Sequence, residues 1–235
     1  MIASNLIALA ITFAVALGWL RVIDYLAHRG LVSSGLSRKI IHAGTGFLFV
    51  LCWLLFDGDP INRYLAAIVP LGITAQFFLI GIGVIKDQAS VDAMSRSGDR
   101  REILRGPLLY GIVFVAMTLL FWKDSPIGIT ALMLLCGGDG FADIVGKRVN
   151  SARIPWNQGK SVAGSIGMLF GSVVFNLVVL WIYGLFGIFA APVSSLIWPV
   201  IIISLVGTLV ETLPVKDFDN VTVPVAAVLL GLLLF

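Results

Sequence analysis

Asp139 and Asp143 stand four residues apart in an otherwise apolar stretch, so a helix there carries both carboxylates on one face. Two hard oxygen donors on one face suit a Mg²⁺ ion, which usually shares its coordination with phosphate oxygens. The pair lies in GDGFADIVGKR, residues 138–148, where Gly140 and Gly146 let a backbone come close to a ligand. Lys147, Arg148, Arg153 and Lys160 follow within one loop, and such side chains hold phosphate charge. For Lys147, Arg148 and Arg153, ordinary loop charge explains the same residues equally well. Lys160 differs because it opens KSVAGS, residues 160–165, at the mouth of the next apolar run, where a helix N-terminus favours anions.

Three further groups belong to the same set. His42 begins an apolar run directly after Arg38 and Lys39. The loop SRSGDRREILRGPLLYG, residues 95–111, packs Arg100, Arg101, Glu102 and Arg105 before a helix that the Gly106-Pro107 step starts sharply. A solvated charge run is the competing reading of that loop. Glu211 opens ETLPVKDFDNVTVP, residues 211–224, where Asp217, Asp219 and Asn220 precede the last apolar run. A helix N-cap is the competing reading of Asp219 or Asn220. The chain has no Walker A loop and no protein-kinase signature set, so a nucleotide site here is of another kind.

The elements that must position these residues are set by composition. Hydrophobic residues make up 59% of the 235, and charged residues only 12%. Soluble domains average about 45–50% apolar and roughly 25% charged, so lipid must cover the excess. This excludes a cytosolic domain, a nucleic-acid binder and a secreted disulfide scaffold. Cys52 and Cys136 sit inside apolar runs and read as small buried hydrophobes. The first apolar run is too long for the core of a cleavable signal, and no transit segment is expected before it. No linker, low-complexity tract or internal repeat divides the chain, so residues 1–235 read as one domain.

The fold class expected is all-α, a polytopic membrane bundle of about eight transmembrane helices. The runs are 2–20, 40–56, 64–85, 107–122, 127–146, 161–189, 196–213 and 222–235. The second and the last are short, and the sixth is long enough to tilt or break near Tyr183-Gly184. Gly167 and Gly171 read as helix-contact glycines. The odd-numbered loops carry fourteen of the sixteen basic residues, Arg96 and Lys216 among them, and the even-numbered loops only Arg63 and Lys123. That bias puts both termini outside and the odd loops in the cytoplasm. An acidic side chain in a span is costly and marks function. His42, Asp139, Asp143 and Glu211 all sit near cytoplasmic span ends, so the site is expected on that face.

RKIIHAGTG, SRSGDRREILRGPLLYG, GDGFADIVGKR, PWNQGKSVAGS and ETLPVKDFDNVTVP, in this order, resemble the phytol kinase branch of the polyprenol kinase family, relatives of dolichol kinase. The likeness runs from about Arg38 to the C-terminus. It implies transfer of a γ-phosphoryl group, from CTP, to the hydroxyl of phytol or a similar prenol, with Mg²⁺ as cofactor. It also implies phytol salvage toward tocopherol, in a plasma or thylakoid-type membrane of a phototroph. Carried over by position, the motif residues are Arg38, Lys39, His42, Arg101, Glu102, Arg105, Asp139, Gly140, Asp143, Gly146, Lys160, Ser161, Glu211, Asp219 and Asn220. Asn150-Ser151 stands where relatives often have a glycine, which implies a looser loop.

The chemistry of the residues agrees with that reaction. A prenol lies in lipid with its hydroxyl at the interface, and the nucleotide stays in water, so the site belongs where the two meet. Phosphoryl transfer asks for positioning and charge neutralisation. Asp139 and Asp143 are the expected metal ligands, and Lys160 and Arg105 the expected phosphate holders, with Lys147 beside them. An aspartate, Glu211 or His42 would take the hydroxyl proton. Glycine and aromatic residues between spans would leave a lateral groove for the isoprenoid tail. Two rivals stand beside this reading: a nucleotidyltransferase of the CDP-lipid type, which would release pyrophosphate, and a small transporter using its carboxylates for protons. The oligomeric state, a homodimer included, stays open.

Overall fold

A computed structural model describes residues 2–95, 97–215 and 218–235 of the chain; Arg96, Lys216 and Asp217 of the motif loops lie outside the described residues. Within the described residues, ten α-helices follow in order: α1 (Ile2–His28), α2 (Ser34–Cys52), α3 (Asn62–Ile82), α4 (Gln88–Met94), α5 (Gly106–Leu120), α6 (Pro126–Met133), α7 (Asp139–Arg148), α8 (Val162–Leu185), α9 (Ile197–Glu211) and α10 (Asp219–Leu234). Between α7 and α8 lies a two-stranded antiparallel hairpin, β1 (Arg153–Ile154) and β2 (Asn157–Ser161). The protein is an all-α membrane bundle. Among the described residues, seven helical stretches are long and apolar enough to cross a membrane.

Three expected spans change shape. The second is not short: α2 continues through a 3₁₀ turn, and Gly35–Leu55 gives 21 residues of spanning length. The sixth does not break near Tyr183-Gly184. α8 runs unbroken to Leu185 and stops there, with Gly187 in the left-handed region at φ 66°. The last span is the 16-residue α10. At 1.5 Å per residue it is about 24 Å long, short of the roughly 30 Å hydrocarbon core. α10 therefore leans on α9 and α6 rather than standing alone in lipid.

The fifth span has an irregularity that the hydropathy pattern hides. α6 passes through a π-helical turn, Leu134–Gly138, before α7 begins at Asp139. Such a turn inserts one extra residue and re-aims the helix beyond it, a feature frequent at functional sites. All five of its residues are buried. α8 packs against this turn and α7 through glycine. A Cβ on Gly171 would collide with the Gly137 carbonyl and with Phe141, and one on Gly167 would meet Val145 and the Phe141 carbonyl. Both are helix-contact glycines, as their spacing predicts, and they fix where the two aspartates sit.

The core joins aromatic and aliphatic side chains of α2, α3, α5, α6 and α8 around Trp53, Phe56, Met133, Leu134 and Tyr183. Cys52 and Cys136 are buried free thiols inside it.

Candidate active site

α2, α5 and α10 begin, and α1, α3, α7 and α9 finish, around one cavity of about 1320 Å³. Its wall includes Arg38, Lys39, His42, Glu102, Arg105, Asp139, Asp143, Gly146, Lys147, Lys160, Ser161, Glu211, Asp219 and Asn220. Two expected residues are absent from that wall. Arg101 is exposed on the 3₁₀ turn Arg100–Leu104, where its backbone N–H donates to Asp99. Gly140 is buried where α7 crosses α2, with Ala43 3.1 Å from where its Cβ would be.

Asp139 is the centre of one cluster. Lys39 Nζ donates to its Oδ2 at 2.8 Å, and His42 Nε2 lies 3.4 Å from the same oxygen. His42 Nε2 is also 3.3 Å from the carbonyl of Leu135, in the π turn. A carbonyl only accepts, so this contact calls for a proton on Nε2, and in the neutral ring Nδ1 then carries the lone pair. Tyr110 of α5 packs against the ring at a tilt of 41°, centroids 4.1 Å apart, and donates its hydroxyl to the His42 carbonyl at 2.8 Å. Asp143, one turn further along α7, pairs with Lys147 at 2.7 Å.

Lys160 is the centre of the second cluster. It sits in β2, not in the first turn of α8; the cap of that helix is Ser161, whose hydroxyl accepts from the Gly164 N–H at 3.2 Å. Lys160 Nζ pairs with Glu211, the last residue of α9, and lies 3.3 Å from Asp219, the first of α10. Glu211 is only 4% exposed, so this pairing is what keeps a buried carboxylate tolerable. Burial opposes the ammonium charge, but Glu211 and then Asp219 outweigh it and hold the Lys160 pKa above the ordinary lysine value.

The remaining contacts fix the frame. Neither Asp219 nor Asn220 caps α10: the cap position is Phe218, and no side chain bonds there. Asn220 instead donates to the Gly106 carbonyl at 3.1 Å, tying α10 to the start of α5. Arg38 donates to the Ser95 carbonyl at 3.3 Å, and the Ser95 hydroxyl donates to Glu102 at 2.8 Å. In the loop at Asn150-Ser151, Ser151 Oγ accepts from the Ala163 N–H at 3.0 Å. Residue type alone does not single out Tyr110, Trp156 and Asn157, although each lies inside a quoted motif. Asn157 Nδ2 donates to the carbonyls of Thr212 and Leu213 at 3.2 and 3.1 Å, and Trp156 Nε1 donates to the Thr212 hydroxyl at 3.2 Å. The hairpin is thereby clamped to the end of α9, which presents Lys160 to Glu211.

The donor set suits a hard cation. Asp139 and Asp143 offer carboxylate oxygens one turn apart on the cavity wall. Among the described residues no three His, Cys, Asp or Glu side chains gather to hold a metal by themselves. Below the charged rim the wall turns apolar, with Leu17, Leu20, Phe49, Val69, Ile73 and Phe114 among its residues.

No family model matches the chain, and no solved structure matches it. Curated proteins do. Over 230 residues it is 39% identical to a probable phytol kinase 3, chloroplastic, of Glycine max, covering 97% of this chain and 72% of that one. It is 36% identical over 234 residues to the farnesol kinase, chloroplastic, of Arabidopsis thaliana, covering 99% and 76%. It is also 36% identical over 214 residues to phytol kinase 1, chloroplastic, of the same plant, covering 90% and 70%. Likeness of that extent is family membership: the chain belongs to the phytol kinase branch of the polyprenol kinase family.

Proposed function

We propose that the protein phosphorylates a prenol, phytol in the first place, using CTP and Mg²⁺ at the cytoplasmic face of a photosynthetic membrane. The observation that carries this reading is one cavity with a charged rim and an apolar interior, opening at the ends of seven helices. A polyphosphate fits the rim and an isoprenoid fits the interior. The names of the relatives supply the phosphoryl-transfer chemistry and the prenol.

The residues divide the work as follows. Lys160, Arg105 and Arg38 neutralise the polyphosphate. Asp139 and Asp143 hold Mg²⁺, which supplies charge neutralisation at the transferred phosphoryl group. His42 Nδ1 accepts the proton of the prenol hydroxyl as its oxygen bonds to the γ-phosphorus. The bond from that phosphorus to the β-γ bridging oxygen breaks, and the nucleoside diphosphate leaves. Lys39 and the π-turn carbonyl hold Asp139 and His42 in register. The positive-inside bias supports the cytoplasmic placement, and the chloroplastic relatives support a photosynthetic membrane.

The test is a labelled-nucleotide assay on purified protein in detergent with Mg²⁺ and a panel of prenols. Prenyl monophosphate and CDP are the expected products. Pyrophosphate release with a prenyl phosphate as acceptor would favour the nucleotidyltransferase instead.

A further inference from the structure

The apolar limb of the cavity has a blind end. Along α1 the wall runs from Asp24 to Ala16, along α3 from Phe77 to Val69, and along α5 from Gly106 to Phe114. Each stretch is nine residues, eight rises and about 12 Å of helix. On α2 it runs twelve residues, Arg38 to Phe49, eleven rises and about 16 Å. The four lining stretches are thus of similar length, about half of a hydrocarbon core roughly 30 Å thick.

The end is closed by packed rings. Phe49 and Phe114 stand with centroids 5.9 Å apart, and both are at most 5% exposed. Behind them Phe49 meets Trp53 at 5.8 Å, and Trp53 meets Trp122 at 5.4 Å. Trp53 is fully buried and Trp122 4% exposed, so the stack is part of the protein core and has no room to retreat. Ala16, at the limit of the α1 stretch, lines the cavity with only a methyl side chain.

We infer that this blind end gauges the isoprenoid chain, with Phe49 and Phe114 as the stop and Ala16 leaving the space in front of it. The inference rests on the prenol kinase reading. With the hydroxyl held at the charged rim, the length of the limb sets which prenol fills it. A shorter chain leaves apolar wall uncovered, and a longer one has to fold back or push the hydroxyl away from Asp139.

The experiment measures kcat/KM for geraniol, farnesol, phytol and a longer polyprenol in wild type, Ala16→Phe and Phe114→Leu. Ratios between two prenols within one preparation cancel any loss of folded protein. Wild type should show a maximum and then a fall. Ala16→Phe should lower the phytol-to-farnesol ratio by about tenfold or more, the discrimination a pocket achieves per misfitting apolar group. Phe114→Leu should raise the ratio of longer polyprenol to phytol. A flat wild-type profile, or ratios that neither variant moves, overturns the gauge while leaving the kinase reading intact. No phosphorylation of any prenol by wild type would overturn the kinase reading and the gauge with it.

Discussion

Lys39 of α2 and Asp139 of α7, 100 residues apart in sequence, meet at 2.8 Å on the cavity wall. Their side chains are 11% and 26% exposed, so the pair is dry on one side and open to the cavity on the other. Breaking a fully buried pair by removing one partner costs roughly 3–5 kcal/mol. Here the cavity leaves a quarter of the aspartate side chain accessible, and Lys39→Met should lower stability by about 2 kcal/mol. Asp139→Asn should cost less stability yet cut phosphoryl transfer by about a hundredfold or more, the scale of removing one group that faces developing charge. In the double variant the stability losses should be less than additive. Thermal unfolding in detergent and the transfer assay read both quantities. Additive losses, or near wild-type transfer by Asp139→Asn, would remove the pair from the centre of the site.

Both members of this pair stand out in the sequence, and the reason is physical. Charged side chains in apolar runs are rare enough to stand out singly, and the four-residue spacing of Asp139 and Asp143 fixes a common face in any helix. Their partners are only partly legible. Lys39 and His42 announce themselves, but that both meet Asp139 depends on how α2 crosses α7. The π turn leaves no trace in hydropathy, because its five residues are as buried as a regular turn would be. The hairpin is hidden for a similar reason. Its strands total seven residues and owe their place to Asn157 and Trp156 gripping α9, a tertiary contact with no periodic signal.

Gly171→Ala offers a test of the fold that carries the aspartates. The added Cβ would collide with the backbone carbonyl of Gly137, which cannot rotate away. Overpacking of this kind typically costs 1–3 kcal/mol, and α7 should shift enough to reduce transfer by about tenfold or more. At Gly18 an added Cβ would have nothing within 4 Å, and Gly18→Ala should hold or raise stability by up to about 1 kcal/mol through helix propensity. Equal melting behaviour of the two variants would contradict the close α7–α8 approach.

Asp57, in the connection between α2 and α3, should give the protein an acid dependence at the end of the bundle remote from the site. It accepts from Asn5 at 2.7 Å, from the Asp59 N–H at 3.1 Å and from Asn62. These bonds, that from Asn5 first, hold its pKa below the ordinary aspartate value. A depressed folded pKa means stability that is present above the unfolded value near 3.9 and lost as pH falls through the folded one. Unfolding midpoints should therefore drop below about pH 4 more steeply in wild type than in Asp57→Asn. Parallel acid curves would show that these bonds carry no linkage.

Topology can be read with a membrane-impermeant thiol reagent in a background where Cys52 and Cys136 are alanine. Asp92 on α4 and Ser194 in the turn before α9 are both exposed, at opposite ends of the bundle. With the bias of basic loops setting orientation, Ser194→Cys should label in intact right-side-out vesicles and Asp92→Cys only after permeabilisation. The reverse pattern would place the cavity on the outer face and separate it from cytoplasmic nucleotide.

Lys160 decides whether the second cluster binds nucleotide or only holds helices together. Its ammonium already has two partners, Glu211 and Asp219, so substrate phosphate would have to join them or displace them. Lys160→Ala removes one charged hydrogen bond to the polyphosphate, about 1.5–3 kcal/mol, and should raise the KM for CTP roughly ten- to a hundredfold. It also leaves the 4% exposed Glu211 without its cation, so stability should fall as well. Lys160→Ala with Glu211→Gln separates the two effects: the double variant should regain stability and keep the raised KM. The KM for phytol, whose tail carries no charge, should stay near wild type in both. Because Lys160 holds its proton above the ordinary lysine range, the CTP KM should not rise between about pH 7 and 9 through loss of this charge. Recovery of stability together with a wild-type CTP KM would make Lys160 a structural cation and move the phosphate contacts to Arg38 and Arg105.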